Sequence, residues 1–153
     1  MIQTIHKGSL EYLAAEGISV PHAFTTRFGG VSTDYLSSLN LAPTRGDDPE
    51  NVVKNYEILG DALGFDPKNA VLARQVHSDI VYRAEEKDRG AGLFAPRLPD
   101  CDALVTDVPG LALVVFSADC TPILAYDPVT GAVGAAHACL LYTSPSPRDR
   151  SLS

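Results

Sequence analysis

The stretch that decides the fold is 117–139, with the sequence SADCTPILAYDPVTGAVGAAHAC. It opens on Asp119 and Cys120, continues as two apolar runs separated by the turn DPVTG, and closes on His137. Short apolar runs bounded by turn residues are typical of strands buried on both faces of a sheet. We therefore expect two core strands here, with chemically active side chains at their ends.

The clearest helix of the sequence begins at Asp48 and Pro49, because aspartate caps helix N-termini and proline suits the first helical position. Gly64 is placed to end this helix in a left-handed conformation. Apolar residues recur between these ends at the spacing of one helix face. These residues are Val52, Val53, Tyr56, Leu59 and Leu63.

Strands outnumber helices in the rest of the chain. Gly29 and Gly30 predict a turn in which at least one residue has a positive φ, and 33–48 and 85–100 read as long loops. The sequence therefore predicts an α/β or α+β fold. The predicted strands cover 18–26, 70–76, 80–84, 103–105, 111–116, 122–126 and 131–136.

Composition narrows the class of protein. The 153 residues are 45% hydrophobic, which is ordinary for one soluble domain. A formal net charge of −7 argues against a nucleic-acid binder, which needs a basic surface. No run has the length and apolarity of a membrane span, and the first residues lack a secretory signal pattern, so we expect a cytoplasmic protein. The three cysteines are then expected as reduced thiols.

Three candidate metal ligands lie at the ends of predicted core strands: His77, Cys120 and His137. Imidazole and thiolate suit Zn²⁺ and can also hold copper, and three protein ligands leave a fourth position for water. Asp119, next to Cys120, could orient a ligand or move a proton. Because no local motif forces these residues together, Cys120 could equally be a buried core residue and His77 an ordinary strand-end histidine.

Seven segments of the chain occur in an order that resembles a known family. They are HAFTTRFGGVS (22–32), LNLA (39–42), GDDPENVVKNYEIL (46–59), RQVHSDIV (74–81), DALVT (102–106), ADCTPILAYD (118–127) and VGAAHA (133–138). They resemble the bacterial laccase-domain proteins, also called multicopper polyphenol oxidoreductases. That family is now described as zinc-containing purine nucleoside phosphorylases with adenosine deaminase activity.

The resemblance implies a site and a fold. The family's metal ligands fall on His77, Cys120 and His137 of this sequence. We expect Cys120 and Asp119 to be the catalytic residues. The implied fold is a layered α/β/β/α sandwich of the cysteine-hydrolase type. Implied substrates are phosphate and a purine nucleoside, namely adenosine, inosine, guanosine or methylthioadenosine. We expect Arg27 and Asn40 to contact substrate or phosphate, although a solvated arginine and a loop-capping asparagine are equally simple interpretations.

The sequence departs from the family pattern at three places. Tyr56 replaces the usual arginine, Ser78 replaces the glycine after QVH, and Cys139 follows HA where the family continues with GWRG. We therefore expect 1–138 to be the N-terminal part of one domain of this family, incomplete at its C-terminus. Residues 139–153 then form an unrelated, disordered tail, and the 153-residue chain is expected to be inactive.

Three alternatives stay open at this point. A cysteine amidase acting on cell-wall precursors would use Cys120 as nucleophile with His137 or His77 as base. The older family label implies copper-dependent phenol oxidation, which a single mononuclear site does not favour. A sensor or an assembly subunit without catalytic activity would tolerate loss of the Cys120 thiol.

Overall fold

The computed structural model describes residues 1–139 of the chain. Contacts divide the chain into two compact units, 1–67 and 68–153, and the expected tail lies, apart from Cys139, outside the described residues. The prediction of a mixed α/β fold with more strand than helix is confirmed, since 1–139 contains one α-helix and nine strands. None of the helices in that range is long and apolar enough to cross a membrane.

The first unit contains a three-stranded antiparallel sheet and the helix. Its strands are β1 (Ile2–Lys7), β2 (Leu10–Ala15) and β3 (Phe24–Thr25), in the order β1-β2-β3. The predicted strand over 18–26 is therefore wrong for most of its length. Pro21 has no N–H to give to a ladder, and the His22 ring accepts the Ala15 N–H instead.

Helix α1 (Pro49–Leu63) forms as its sequence predicts. Asp48 accepts a hydrogen bond from the Glu50 N–H at 2.9 Å, and Gly64 ends the helix with φ +80°. Val52, Tyr56 and Leu59 are buried as expected, while Val53 and Leu63 are only partly covered. The turn before the 33–48 loop also matches its prediction, because Gly29 has φ +98°.

The second unit contains two sheets. β4 (Ala70–Leu72) pairs in parallel with β7 (Ala112–Val114). β5 (Val81–Arg83), β6 (Ala103–Thr106), β8 (Thr121–Tyr126) and β9 (Val133–Ala138) form a mixed sheet in the order β5-β6-β9-β8. One face of this sheet, with Leu104 and Ala135, is buried, and Leu104 joins a core that includes Val71, Ala84, Leu98 and Cys101.

The opposite face of the four-stranded sheet, called the outer face below, is apolar and exposed. The prediction that these strands are buried on both faces is therefore wrong for the described part of the chain. Val81, Val105 and Ile123 are 59%, 39% and 45% exposed on this face. Arg83 of β5 also lies on this face, opposite Val105. The small residues in register with these side chains are Ala103, Ala125, Gly134 and Ala136.

Candidate metal centre

The segment that carries His77 begins where β4 stops. The Ala73 N–H still bonds to the Val114 carbonyl of β7 at 3.0 Å, and Gln75 makes two hydrogen bonds with the Phe116 backbone. After Gln75 the backbone amides turn away from the sheet, and His77 adopts φ +62°. The predicted strand over 70–76 therefore ends early, because its last amide, that of Val76, bonds to a side chain instead of a neighbouring strand.

That side chain is Asp102, which immediately precedes β6 and is only 2% exposed. Its carboxylate accepts hydrogen bonds from the backbone amides of Val76, His77 and Ser78 at 3.1, 3.0 and 2.7 Å. Successive amides around a left-handed residue form a concave anion site, which this carboxylate fills. Burial acts to raise the pKa of Asp102, but the Ser78, His137 and Val76 donors outweigh it and hold the pKa well below its ordinary value.

His137 lies on the central strand β9 and is 6% exposed. Its backbone N–H donates to the Asp102 carbonyl at 2.7 Å, and its ring Nδ1 lies 2.8 Å from Asp102 Oδ1. Because a carboxylate can only accept, Nδ1 carries the proton of this hydrogen bond. Nε2 is then the nitrogen that can bind a metal ion.

Cys120 lies in the turn before β8 and is partly exposed. The Ser117 hydroxyl donates to the Cys120 carbonyl and closes this turn. Across the β8–β9 ladder, Pro122 is the partner of His137, so the start of β8 lies beside the end of β9. Burial first, and then the Cys139 thiol and the charges of Asp119 and Asp102, raise the pKa of the Cys120 thiol.

These elements bring the three predicted ligands together. One ligand atom from each of His77, Cys120 and His137 lies within 4.8 Å of the others. The two imidazole rings meet edge to face, with centroids 4.8 Å apart and planes at 79°. The cluster offers two nitrogens and one sulfur as donors. One imidazole ring is fixed by a carboxylate and the other reaches solvent. This arrangement matches the donor set of an open zinc site.

The remaining predicted site residues lie outside this cluster of ligand atoms. Asp119 is exposed beside Cys120 and is not one of the clustered ligands. Arg27 is exposed in the first unit, where its Nε donates to the Ser37 carbonyl at 3.2 Å. Asn40 stabilises its own loop. Its Nδ2 donates to Asp47 at 2.9 Å, and its Oδ1 accepts from the Ala42 N–H at 3.1 Å. Their roles toward substrate stay predictions.

Sequence reasoning missed Asp102 and Ser78. The available signal was an acid directly before an apolar run, in CDALVT, since an aspartate at the edge of a core strand needs donors. Nothing local says that those donors come from the segment around His77. Cys101, the residue before Asp102, is fully buried, and burial raises the pKa of its thiol.

Comparison with known proteins places this geometry in a family. The family described as multi-copper polyphenol oxidoreductase laccase matches residues 21–139. The chain belongs to this laccase family. The match includes all three clustered ligands and confirms the resemblance drawn from the motifs.

Curated members of the laccase family are similar over most of this chain. A protein named purine nucleoside phosphorylase from Deinococcus radiodurans is 44% identical over 129 residues, which is 84% of this chain and 47% of the relative. Purine nucleoside phosphorylase ORF3 from Streptomyces griseus is 46% identical over 120 residues, or 78% of this chain and 47% of the relative. The chain therefore spans about half the length of these curated relatives.

Solved structures in the family share the fold. YlmD from Geobacillus stearothermophilus matches with a TM-score of 0.79 at 34% identity, over 89% of this chain and 52% of that one. YfiH from Bacillus licheniformis gives a TM-score of 0.78 at 36% identity, over 86% and 50%. Membership of the laccase family and the His–Cys–His cluster together indicate metal binding.

Proposed function

We propose that this chain belongs to a zinc-dependent purine nucleoside phosphorylase. The observation that carries the proposal is the convergence of His77, Cys120 and His137 in a family whose curated members bear that name. Two neutral nitrogen donors and one thiolate favour Zn²⁺, with copper as the alternative metal. When bound, the metal ion would supply Lewis acidity and hold a water or a substrate atom at its fourth position.

Each residue of the proposed site has its own role. His77 faces solvent, which leaves the side from which a nucleoside could approach, whereas His137 is buried and held by Asp102. Exposed Asp119 lies next to Cys120 and would take or return a proton near the ligand sphere. Arg27 would contact phosphate through its guanidinium, and Asn40 would contact the substrate.

The proposed reaction is phosphorolysis. A phosphate oxygen forms a bond to C1′ of the sugar, the C1′–N9 bond breaks, and the purine leaves after gaining a proton. Adenosine, inosine, guanosine and methylthioadenosine all contain this bond. A second proposed activity is hydrolytic deamination, in which water adds at C6 of adenosine and ammonia leaves. No nucleic acid or membrane is needed for either reaction.

We place the activity in the whole protein of this family. The chain spans about half the length of its curated relatives, and the outer face of its four-stranded sheet is open. We propose that 1–138 forms the N-terminal part of a layered α/β/β/α sandwich in a cytoplasmic enzyme. The 153-residue chain would then bind metal without turning over nucleoside.

One observation favours a second candidate, a cysteine amidase. Cys120, His137 and Asp102 form a thiol–imidazole–carboxylate series, the arrangement that activates a nucleophile in cysteine hydrolases. The pKa of the Cys120 thiol is raised, which is the opposite of the shift found in activated thiols. A bound cation would oppose this shift, because a coordinating thiol is deprotonated.

The test uses a chimera in which residues 1–138 are followed by the remaining sequence of the Deinococcus relative. The 153-residue chain is measured in parallel. We expect the chimera to bind about one zinc ion per chain and to release hypoxanthine from inosine only when phosphate is present. His77→Ala should abolish both properties. His6→Ala is the matched control, because His6 is an exposed histidine of β1 outside the ligand cluster.

Inhibitors separate the two candidates. A chelator should stop the chimera and added zinc should restore it, whereas an amidase would survive the chelator and be lost to thiol alkylation. Release of base at an equal rate without phosphate, or by the zinc-free protein, would rule out the proposed reaction.

A further inference from the structure

Asp102 binds both histidine ligands through the same oxygen. Oδ1 accepts the His77 backbone N–H at 3.0 Å and faces His137 Nδ1 at 2.8 Å. Oδ2 accepts the Val76 N–H, the Ser78 N–H and the Ser78 hydroxyl at 3.1, 2.7 and 2.8 Å. A single buried side chain therefore ties the backbone of one ligand to the ring of another, 60 residues away along the chain.

Both ligands need this support for different reasons. His77 has φ +62°, a conformation that costs a non-glycine residue about 1–3 kcal/mol and persists only where its surroundings enforce it. The three amides that point at Asp102 provide that enforcement. His137 must keep its proton on Nδ1 so that Nε2 can bind a metal ion, and Oδ1 selects that tautomer.

Only a carboxylate meets these demands. All five hydrogen-bond donors point at Asp102, so both of its oxygens must be acceptors. Asparagine has the same shape, but its NH₂ group would face either the His77 and His137 donors or the Val76 and Ser78 donors. One of the two groups of hydrogen bonds would be lost in either orientation.

We propose that Asp102 is the positioning residue of the metal centre, which assembles His77 and His137 in ligand geometry before the metal ion arrives. This inference rests on the metal-binding part of the proposed function. It requires no contact between Asp102 and either the metal ion or the substrate. The role is therefore measurable as metal affinity, independently of any turnover of nucleoside.

The experiment measures zinc affinity of the full 153-residue chain by competition with a chromophoric chelator. We expect Asp102→Asn to weaken zinc binding about 10- to 100-fold, the usual cost of losing such a supporting residue. The cobalt-substituted variant should also show an altered ligand-field spectrum, because one imidazole is misplaced. Circular dichroism of the zinc-free proteins reports whether each variant is folded.

The matched control is Asp88→Asn. Asp88 is also a buried carboxylate in the second unit, and it accepts from the Glu85 N–H and the Tyr82 hydroxyl, neither of which belongs to a ligand. This variant should lose stability yet keep zinc affinity within about twofold, since its hydrogen bonds are structural. Equal zinc affinities in the two variants would show that Asp102 is merely a structural residue and would overturn the proposal.

Ser78→Ala decides the matter if Asp102→Asn does not fold. It removes one donor to Oδ2 and leaves both histidines in place, so we expect zinc affinity to fall several-fold. Unchanged affinity in this variant would then overturn the proposal. If the wild-type chain itself binds no zinc, the metal-binding part of the proposed function fails for this chain; if all variants bind as the wild type does, only the positioning role fails.

Discussion

At the scale of single residues, Tyr56 stands apart as the largest fully buried side chain of the described residues. Its hydroxyl has no hydrogen-bond partner among residues 1–139. A buried polar atom without a partner loses its hydration and gains nothing in return. Burial accordingly raises the pKa of Tyr56 far above its ordinary value. The ring of Tyr56 contributes buried apolar area, whereas its unpaired hydroxyl lowers the stability of the fold.

We therefore expect Tyr56→Phe to stabilise the protein by up to about 1 kcal/mol, because it removes only the unpaired oxygen. Urea unfolding followed by circular dichroism measures the change. Tyr82→Phe is the control of opposite sign, since the Tyr82 hydroxyl donates to Asp88 at 3.3 Å. A loss of stability in Tyr56→Phe equal to that in Tyr82→Phe would mean that the Tyr56 hydroxyl has a partner after all.

Some residues of the metal centre can be predicted from the sequence, and others cannot. His77, Cys120 and His137 could be chosen in advance because their motifs and donor chemistry both point to a metal. Asp102 could not, since its role depends on amides from a segment about 25 residues earlier folding around it. A side chain whose partners are backbone groups leaves little trace in the pattern of residue types.

At the scale of elements, the 33–48 loop is held to the start of α1 by Asp47. Its carboxylate accepts from the Ser32 hydroxyl at 2.6 Å, from Asn40 at 2.9 Å and from the Asp48 N–H at 2.9 Å. The Ser32 and Asn40 donors, with smaller contributions from Asn51 and the Asp48 amide, lower the pKa of Asp47 from 3.8. The loop is therefore ordered around an ionised group.

This makes the first unit sensitive to acid in a predictable direction. A carboxyl whose folded pKa is lowered contributes stability above its unfolded pKa, and that contribution is lost as the pH falls through the folded value. We expect Asp47→Asn to be less stable than the wild type at pH 7, with the difference shrinking as the pH falls below the unfolded value of 3.8. Urea midpoints at pH 7 and pH 3 give the measurement.

Asp61→Asn is the control for this titration. Asp61 is exposed on α1, away from the loop hydrogen bonds, so its replacement should leave the urea midpoints close to those of the wild type at both pH values. A stability difference for Asp47→Asn that persists unchanged at pH 3 would show that its ionisation is not what orders the loop.

Elements differ in how far the sequence predicts them. Helix α1 was predictable to the residue, because its caps and its apolar spacing are local signals. The strands over 18–26 and 70–76 are shorter than predicted, since proline and side-chain acceptors removed their ladder partners. The β1–β2 hairpin is absent from the strands expected from the sequence. Pairing between distant segments is the information that short-range patterns lack.

At the scale of the whole molecule, the outer face of the β5-β6-β9-β8 sheet is the unusual feature. It consists mainly of Val, Ile, Ala and Gly residues, with Arg83 on the edge strand β5, and Val81, Val105 and Ile123 are substantially exposed. Contiguous apolar surface of this kind promotes association. Alternation alone could not predict this exposure, because an apolar residue on an open face and one on a covered face look the same in a sequence.

We expect the 153-residue chain to bind an apolar fluorescent dye and to self-associate as its concentration rises. Ile123→Lys places a charge on this face, at the edge strand β8, and should reduce both effects. Dye fluorescence and light scattering after size exclusion measure them. Val129→Lys is the control, because Val129 is 90% exposed but lies in the β8–β9 turn and not on the face.

The outcome separates a surface effect from a charge effect. Reduced dye binding and self-association in Ile123→Lys alone would locate the association on the outer face of the sheet. An equal reduction in both variants would mean that net charge controls self-association and that the outer face is not its cause.

The β8–β9 ladder has a consequence for the order in which the chain folds. Cys120 precedes β8 and His137 lies near the end of β9, so both occupy the open end of one hairpin whose strands are joined by a short turn. Hairpins form in about 1–10 microseconds, whereas contacts across long loops form later. We therefore expect the thiol and the imidazole to become neighbours first during folding, and the donor on the segment bent around Asp102 to arrive last.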